Sequence, residues 1–287
     1  MVALRTDTEP ETGRKADNVK QKRVRYLTIY LCFLAVLVLG PPMWHRATVS
    51  STQEAKNQLL FTAILHNDTA AVKAAIQAGA DVNAEMQGWA WTDFVHPLTN
   101  AFSGDMSEHL RDTPLLITMD CLVKRDKKAV KGDIPLENLD TVKALVEAGA
   151  DVNARNNIGD TALEMAVEWG YRNTVEYLLK NRADPRIGDT SGATPLHSAA
   201  MDNRMEIMTD LLNCGASPDA RDILGDTPLI DLVKLGSGPK QIDEARLLLQ
   251  HGANPNIKNK DGETALSDSL AGKSSDLVKL LQEHGAK

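Results

Sequence analysis

The sequence repeats itself. A Gly-Ala pair followed by Asp or Asn stands at Gly79-Ala80-Asp81, Gly149-Ala150-Asp151 and Gly252-Ala253-Asn254. Looser copies occur at Arg182-Ala183-Asp184, Gly215-Ala216-Ser217 and Gly285-Ala286. A second signature, Thr-Pro-Leu or Thr-Ala-Leu, begins at Thr113, Thr161, Thr194, Thr227 and Thr264. The step from 149 to 182 to 215 is 33 residues, as are the steps from 252 to 285 and from Thr161 to Thr194 to Thr227. A unit of that size cannot bury its apolar face alone, so neighbours must stack, and a single core wrapped by long-range topology is excluded.

The local chemistry of the unit points to two short helices. Thr followed by Pro is a helix start: the hydroxyl accepts from a free N–H, and Pro at the first position has no N–H to lose. The Gly that ends the unit suits a left-handed helix stop. The Asp-x-Asn and x-Gly pairs that follow suit a turn. Two departures stand out. Arg182 occupies a helix-ending Gly position, where a left-handed side chain costs about 1 kcal/mol. The first unit starts at Gln58-Leu59-Leu60-Phe61 without Thr-Pro and reads as a cap, while Ser267, Ser269, Ser274 and Ser275 give the last unit a polar outer side.

With these motifs in place the chain resembles the ankyrin-repeat family. The copy Gly192-Ala193-Thr194-Pro195-Leu196-His197-Ser198-Ala199-Ala200 carries that family's start. Leu145-Val146-Glu147-Ala148-Gly149-Ala150-Asp151-Val152-Asn153-Ala154 carries its ending. The resemblance implies an all-α solenoid of about six helix-turn-helix repeats with hairpin fingers, over residues 54–287, and a role in binding rather than catalysis.

The period breaks in three places. About 22 extra residues lie in the finger between repeats 1 and 2, at about 87–108. That insert holds Trp89, Trp91, Phe94 and Phe102, half of the eight aromatic residues that follow Trp44. Either they fold back over the stack or they form a protein-binding loop, the use to which long loops in compact domains are usually put. Fifteen extra residues separate the helices of repeat 2, at about 122–137, and carry Lys124, Arg125, Lys127, Lys128 and Lys131. This basic island is a solvated loop or a contact for anionic headgroups or an acidic partner. Repeat 5 has four extra residues near Gly236-Ser237-Gly238-Pro239.

The N-terminus is organised by charge. Residues 1–25 carry seven basic side chains against four acidic ones, residues 26–44 carry none, and the remainder is net −10 within a chain of net −7. Tyr26–Trp44 is apolar and, as a helix, spans roughly 28 Å, near the thickness of a bilayer core. The flanking charges predict a basic cytoplasmic tail (1–25), a transmembrane signal anchor (26–44), a linker (45–53) and a translocated repeat domain. A cleaved signal peptide is the competing reading, with Leu27–Gly40 as its apolar core. Both readings place the repeats across the membrane.

Composition excludes several functions. An acidic chain is a poor match for nucleic acid. Three cysteines in 287 residues do not make a disulfide scaffold. No nucleophile elbow, phosphate loop or helical His pair is present. Asp93 and His96 alone are too few for a metal site. His197 falls on the motif's own structural histidine, and no cofactor, metal or small-molecule substrate is expected. Cys121 and Cys214, two repeats apart, are predicted to be free and mostly buried. Asn67-Asp68-Thr69 is a glycosylation acceptor that matters only in a eukaryotic secretory route.

The resemblance implies partner recognition through finger tips and the concave side of the first helices. Carried onto this chain, the finger positions include Asp160 and Asp226, and the concave positions Met165, Glu168, Trp169, Met201, Asp202 and Asp231. Together with Trp89, Trp91 and Phe94 these are the expected protein-binding residues. Their acidity suggests a partner with a basic patch. Combined with an anchor, the pattern looks like bacterial ankyrin proteins of the inner membrane, single-pass, with a cytoplasmic N-terminus and a periplasmic repeat domain. Some of those are immunity proteins for type VI secretion effectors such as lipases; others accompany oxidative-stress enzymes as scaffolds or adaptors.

Overall fold

Each Thr-Pro-Leu start opens a helix. The computed structural model describes residues 53–85, 112–125, 137–236 and 238–287, with the side chains of 120–125 outside the description. Among the described residues twelve α-helices pair into six units: α1 Gln53–Leu65 with α2 Thr69–Gln77, α3 Pro114–Arg125 with α4 Leu139–Glu147, and α5 Ala162–Trp169 with α6 Arg172–Lys180. α7 Pro195–Met201 then pairs with α8 Met205–Asn213, α9 Pro228–Lys234 with α10 Pro239–Gln250, and α11 Ala265–Ala271 with α12 Ser275–Glu283. First helices pack on first helices (α3, α5, α7, α9, α11 in succession) and second helices on second helices, so the fold is two helical layers. No strand occurs among the described residues; one isolated bridge joins Arg155 to Thr161.

The layers follow from two rows of leucine. Leu115, Leu163, Leu196, Leu229 and Leu266 stand two residues after each Thr, and all are buried. Leu145, Leu178, Leu211, Leu248 and Leu281 stand four residues before each helix-ending position, and all are buried as well. A Leu→Ala change in either row removes a side chain whose burial is worth about 2–5 kcal/mol once the cavity is counted. The helix starts behave as their sequence dictates. Thr161 Oγ1 accepts from Glu164 N at 3.2 Å and Thr264 Oγ1 from Ser267 N at 3.2 Å. The stops do too: Gly149, Gly215, Gly252 and Gly285 lie at φ between 86° and 93°, and Arg182 takes the same left-handed region at 71°.

Asparagines stitch successive loops. Asn83 Nδ2 donates to Gly149 O and its Oδ1 accepts from Asp151 N, so the register of repeats 1 and 2 survives the long finger insert. Asn153 does the same to Arg182 O and Asp184 N, and Asn256 to Gly285 O and Lys287 N. At the next loop the corresponding residue is Arg186, whose guanidinium turns back to Asp184. One loop further it is Asp219, which accepts from Asn254 N but, as a carboxylate, has nothing to donate.

Several expectations need correction. The insert of repeat 2 begins within a helix: α3 runs on to Arg125, since Leu122, Lys124 and Arg125 are good helix formers and no breaker stands among them. The extra residues of repeat 5 are shared between the link after Lys234 and a longer second helix, where Pro239 takes the first position and α10 has 12 residues against 9 in α8. Cys214 is exposed rather than buried, because it is the C-cap of α8 and lies beyond the buried stripe. The side chain of Cys121, the tail 1–25, the segment 26–44, the linker to residue 52 and the finger insert lie outside the described residues. Among the described residues no helix is long and apolar enough to cross a membrane.

Candidate protein-binding face

The hairpins between units are closed by one device used four times. Asn156, Asp189, Asp222 and Asn259 each accept two backbone N–H groups with a single Oδ1. The donors are the second and fourth residues on: Ile158 and Asp160, Ser191 and Ala193, Leu224 and Asp226, Asp261 and Glu263. The loop is thereby folded on itself, with the residue before each Thr at its base and the residue before each Gly at its tip. Neighbouring tips are tied by Thr190 N to Ile158 O, Ile223 N to Ser191 O and Lys260 N to Leu224 O. Arg155 and Arg221 add guanidinium bonds forward to Gly188 O and Lys258 O.

That geometry overturns the finger-tip reading of Asp226. It is 2% exposed. Its carboxylate accepts from Asn259 Nδ2 at 2.9 Å and Lys234 Nζ at 2.6 Å, so it holds the loop to α9 and to the next hairpin. Its carbonyl faces His197 Nε2 at 3.3 Å. His197 Nδ1 accepts from Thr194 N at 3.0 Å, which leaves Nε2 as the protonated nitrogen, and burial pushes its pKa down. The histidine is a neutral bridge between two repeats, as the motif implies. Asp160 is half-buried at the base of its own loop.

The tips belong to residues that sequence reading passed over. Ile158, Ile223 and Leu224 are each more than half exposed. The signal was present, since each lies between a loop-closing Asn or Asp and a Gly. The residue before Thr sits instead at the closing bond of the loop.

The outer side of the first-helix layer holds the remaining expected residues. Glu168 and Asp202 are exposed, Met201 is 50% exposed, and Asp231 is half-buried. Met165 and Trp169 are partly buried and pack against the core, so Trp169 offers one side of its ring rather than all of it. Trp89, Trp91 and Phe94 lie outside the described residues. Arg204 sits beside this row, donating to Glu168 O at 2.9 Å and pairing with Asp202 at 3.4 Å.

Carboxylates crowd this side. Burial pushes Asp160 up, with Asp189 and Asp112 adding repulsion. Burial, then Asp160 and Asp202, raise Glu168. Asp231 is pushed to about 6 by burial, then by Asp226 and Asp222, against the pull of Lys234. Glu164, 7% exposed, is pushed to about 8 by burial, although Ser198 Oγ donates to its Oε1 at 2.5 Å. Asp268 rises by burial and Glu263. No cluster of three or more metal-ligating side chains occurs among the described residues.

A stack of short helix pairs whose first helices carry exposed carboxylates among the described residues, with apolar loop tips, has the form of a protein-recognition solenoid. The family model described as ankyrin repeats matches residues 129–222 and 196–287. The chain belongs to the ankyrin-repeat family, and its repeats make it a protein–protein interaction module. It is 37% identical over 130 residues to neurogenic locus notch homolog protein 1 of Mus musculus, a match covering 44% of this chain and 5% of that protein. It is 33% identical over 187 residues to the B-cell lymphoma 3 protein homolog of Mus musculus, covering 63% of this chain and 38% of that one. The chain therefore spans well under half the length of these relatives. Among solved structures, an ankyrin repeat domain from Acinetobacter baumannii AYE superposes with a TM-score of 0.64 at 26% identity, covering 79% of this chain and 98% of that one.

Proposed function

We propose that the protein is a non-enzymatic, membrane-tethered binding module that faces the periplasm of a bacterium and caps a protein partner with a basic patch. The specific reading is an immunity protein that neutralises a secreted toxic effector. The observation that carries the binding role is the acidic side of the first-helix layer among the described residues, where exposed Glu168 and Asp202 and half-buried Asp231 alternate with Trp169 and Met201. The charge partition around residues 26–44 supports the tether and its orientation. The likeness to a bacterial ankyrin domain over most of the chain supports the setting.

The deciding experiment is genetic. Deletion of an immunity gene is lethal only while its toxin is delivered or expressed, and the purified pair forms a stoichiometric complex. Viability of the deletion strain in the presence of every neighbouring toxin candidate, together with capture of several endogenous enzymes, would establish a periplasmic scaffold instead. A phosphatase fused after Lys287 reports orientation; activity confined to the cytoplasm refutes the periplasmic placement.

A further inference from the structure

Glu244 is a buried carboxyl in the second-helix layer. It lies in α10, is 1% exposed, and its Oε2 has no hydrogen-bond partner. Eight residues before each helix-ending position, repeats 2, 3, 4 and 6 place Thr141, Thr174, Ile207 and Leu277, all buried. Ile207 and Leu277 are apolar, and Thr141 shares a hydrogen bond with Thr69 Oγ1 at 2.8 Å. A carboxylate in that place gives up its water without a donor to replace it, which favours the neutral acid. Burial pushes the group up to about 7 against the pull of Lys240, with Glu206 of α8 and neighbouring Asp243 adding repulsion. The other charged groups on the packed helices are engaged elsewhere or lie in solvent. α10 packs on α9 and α12. On α9, Lys234 is bound to Asp226 at 2.6 Å, and Asp231 sits in the field of Asp226 and Asp222. On α12, Asp276, Lys279 and Glu283 are exposed. Arg246, on α10 itself, pairs with Asp243 at 2.8 Å.

An independent feature is how lightly this part of α10 is held. Pro239, Lys240 and Asp243 are exposed, and Gln241 and Ile242 are only partly buried. Full burial of apolar side chains begins at Ala245 and continues at Leu248 and Leu249. In α8 and α12, by contrast, Ile207 and Leu277 are buried at the third residue of the helix. What holds Pro239–Asp243 is Ile242 against the core and Gln241 Nε2, which donates to Asn203 Oδ1 at 2.7 Å. Gly238, the N-cap, supplies no side-chain bond, and Gly236 lies at φ 133°, a conformation open to glycine.

We propose that Glu244 is the latch of a pH-operated opening in repeat 5. On losing its proton the side chain leaves the layer for water. Pro239–Glu244 then unwinds about Gly236 and Gly238 and releases Asn203, while Ala245, Leu248 and Leu249 keep the rest of α10 docked. The direction follows from linkage. The closed form keeps a proton that the opened form gives up near the ordinary 4.5, so opening grows as pH rises from there towards 7. Above that it levels off, because the closed form ionises too. The device is independent of the identity of any partner.

Amide hydrogen exchange of the full chain, read by mass spectrometry and corrected for the intrinsic effect of pH, tests this. Protection over residues 240–245 falls about tenfold or more between pH 5 and 7 and then levels off. Glu244→Gln holds protection constant over that range to within about threefold. Glu244→Leu, which copies repeat 6, does the same at a higher level, and makes the comparison by itself should Gln not be accepted there. A parent whose protection is unchanged between pH 5 and 7 overturns the proposal, as does a Gln or Leu variant that keeps the parent's fall. An equal fall throughout α8 and α12 overturns it too, since that is loss of the whole stack and not the opening of one turn.

Discussion

Replacing Glu164 by Gln takes a titrating proton out of the floor of the stack while keeping the size and planar shape of the side chain. In the folded protein burial holds the Glu164 carboxyl at about 8, against an ordinary value of 4.5. The folded state thus keeps a proton that the unfolded chain releases, and stability falls as pH rises between those two values. Below pH 4.5 both states are protonated and the group contributes nothing to the slope. At pH 7 the difference of 2.5 units corresponds to about 3 kcal/mol, at 1.36 kcal/mol per unit. Glu164→Gln therefore matches the parent near pH 4.5 and exceeds it by about 3 kcal/mol at pH 7, or roughly 6–12 °C in melting temperature. Glu244, fully buried and pushed to about 7, and Asp231, pushed to about 6, titrate in the same direction. For that reason the difference between parent and variant, not the parent alone, isolates Glu164. Urea titrations at half-unit intervals from pH 4.5 to 8 measure it. A constant difference across that range would mean that Glu164 ionises freely in the fold, and the account of the buried floor would be wrong.

Three further outcomes follow from particular residues. Glu137→Ala destabilises the protein by about 1 kcal/mol in urea, because Glu137 caps α6 from the neighbouring repeat through Thr174 N and Asn173 Nδ2, where Tyr171 at the N-cap supplies no side-chain cap of its own. Arg182→Gly raises stability by up to about 1 kcal/mol, since it relieves a side chain at φ 71° while keeping the backbone carbonyl that Asn153 needs; a lower melting temperature would contradict this. Cys214 reacts with a maleimide in the native protein as fast as a free model thiol to within about tenfold; protection until unfolding would contradict its exposure.

The fold was legible because every level of the sequence agreed. Thr at the starts, leucine at two fixed offsets and Gly at most stops specify the same unit in five copies, and the structure shows six helix pairs, the first without those marks at its start. The face was legible only in part. Glu168, Met201 and Asp202 follow from helix geometry alone and are where the offset put them. Asp226 failed because its position depends on a loop closed by another residue, Asp222, and on Lys234 and Asn259, which arrive from separate elements. Such contacts have no period. Glu137 escaped notice for the same reason, since its partner lies 37 positions away.

The stitches between loops have a mechanical consequence. Across the joint between the loops 184–194 and 217–227, Arg186 replaces the Asn that donates and accepts elsewhere, and Gly188 stands where Arg155 and Arg221 reach forward. Gly188 has no alternative, because a Cβ there would lie 2.8 Å from Gly192 O. What spans the joint on the loop side is Ile223 N to Ser191 O and the contact of His197 with Asp226 O. A rod made of equal segments with one under-fastened joint concentrates its compliance there. We expect the amide of Ser217 to exchange faster than that of Asp151, which Asn83 Oδ1 holds, and bending under load to pivot between repeats 3 and 4. The middle of the acidic row is then the place where the stack changes its curvature to meet what it holds.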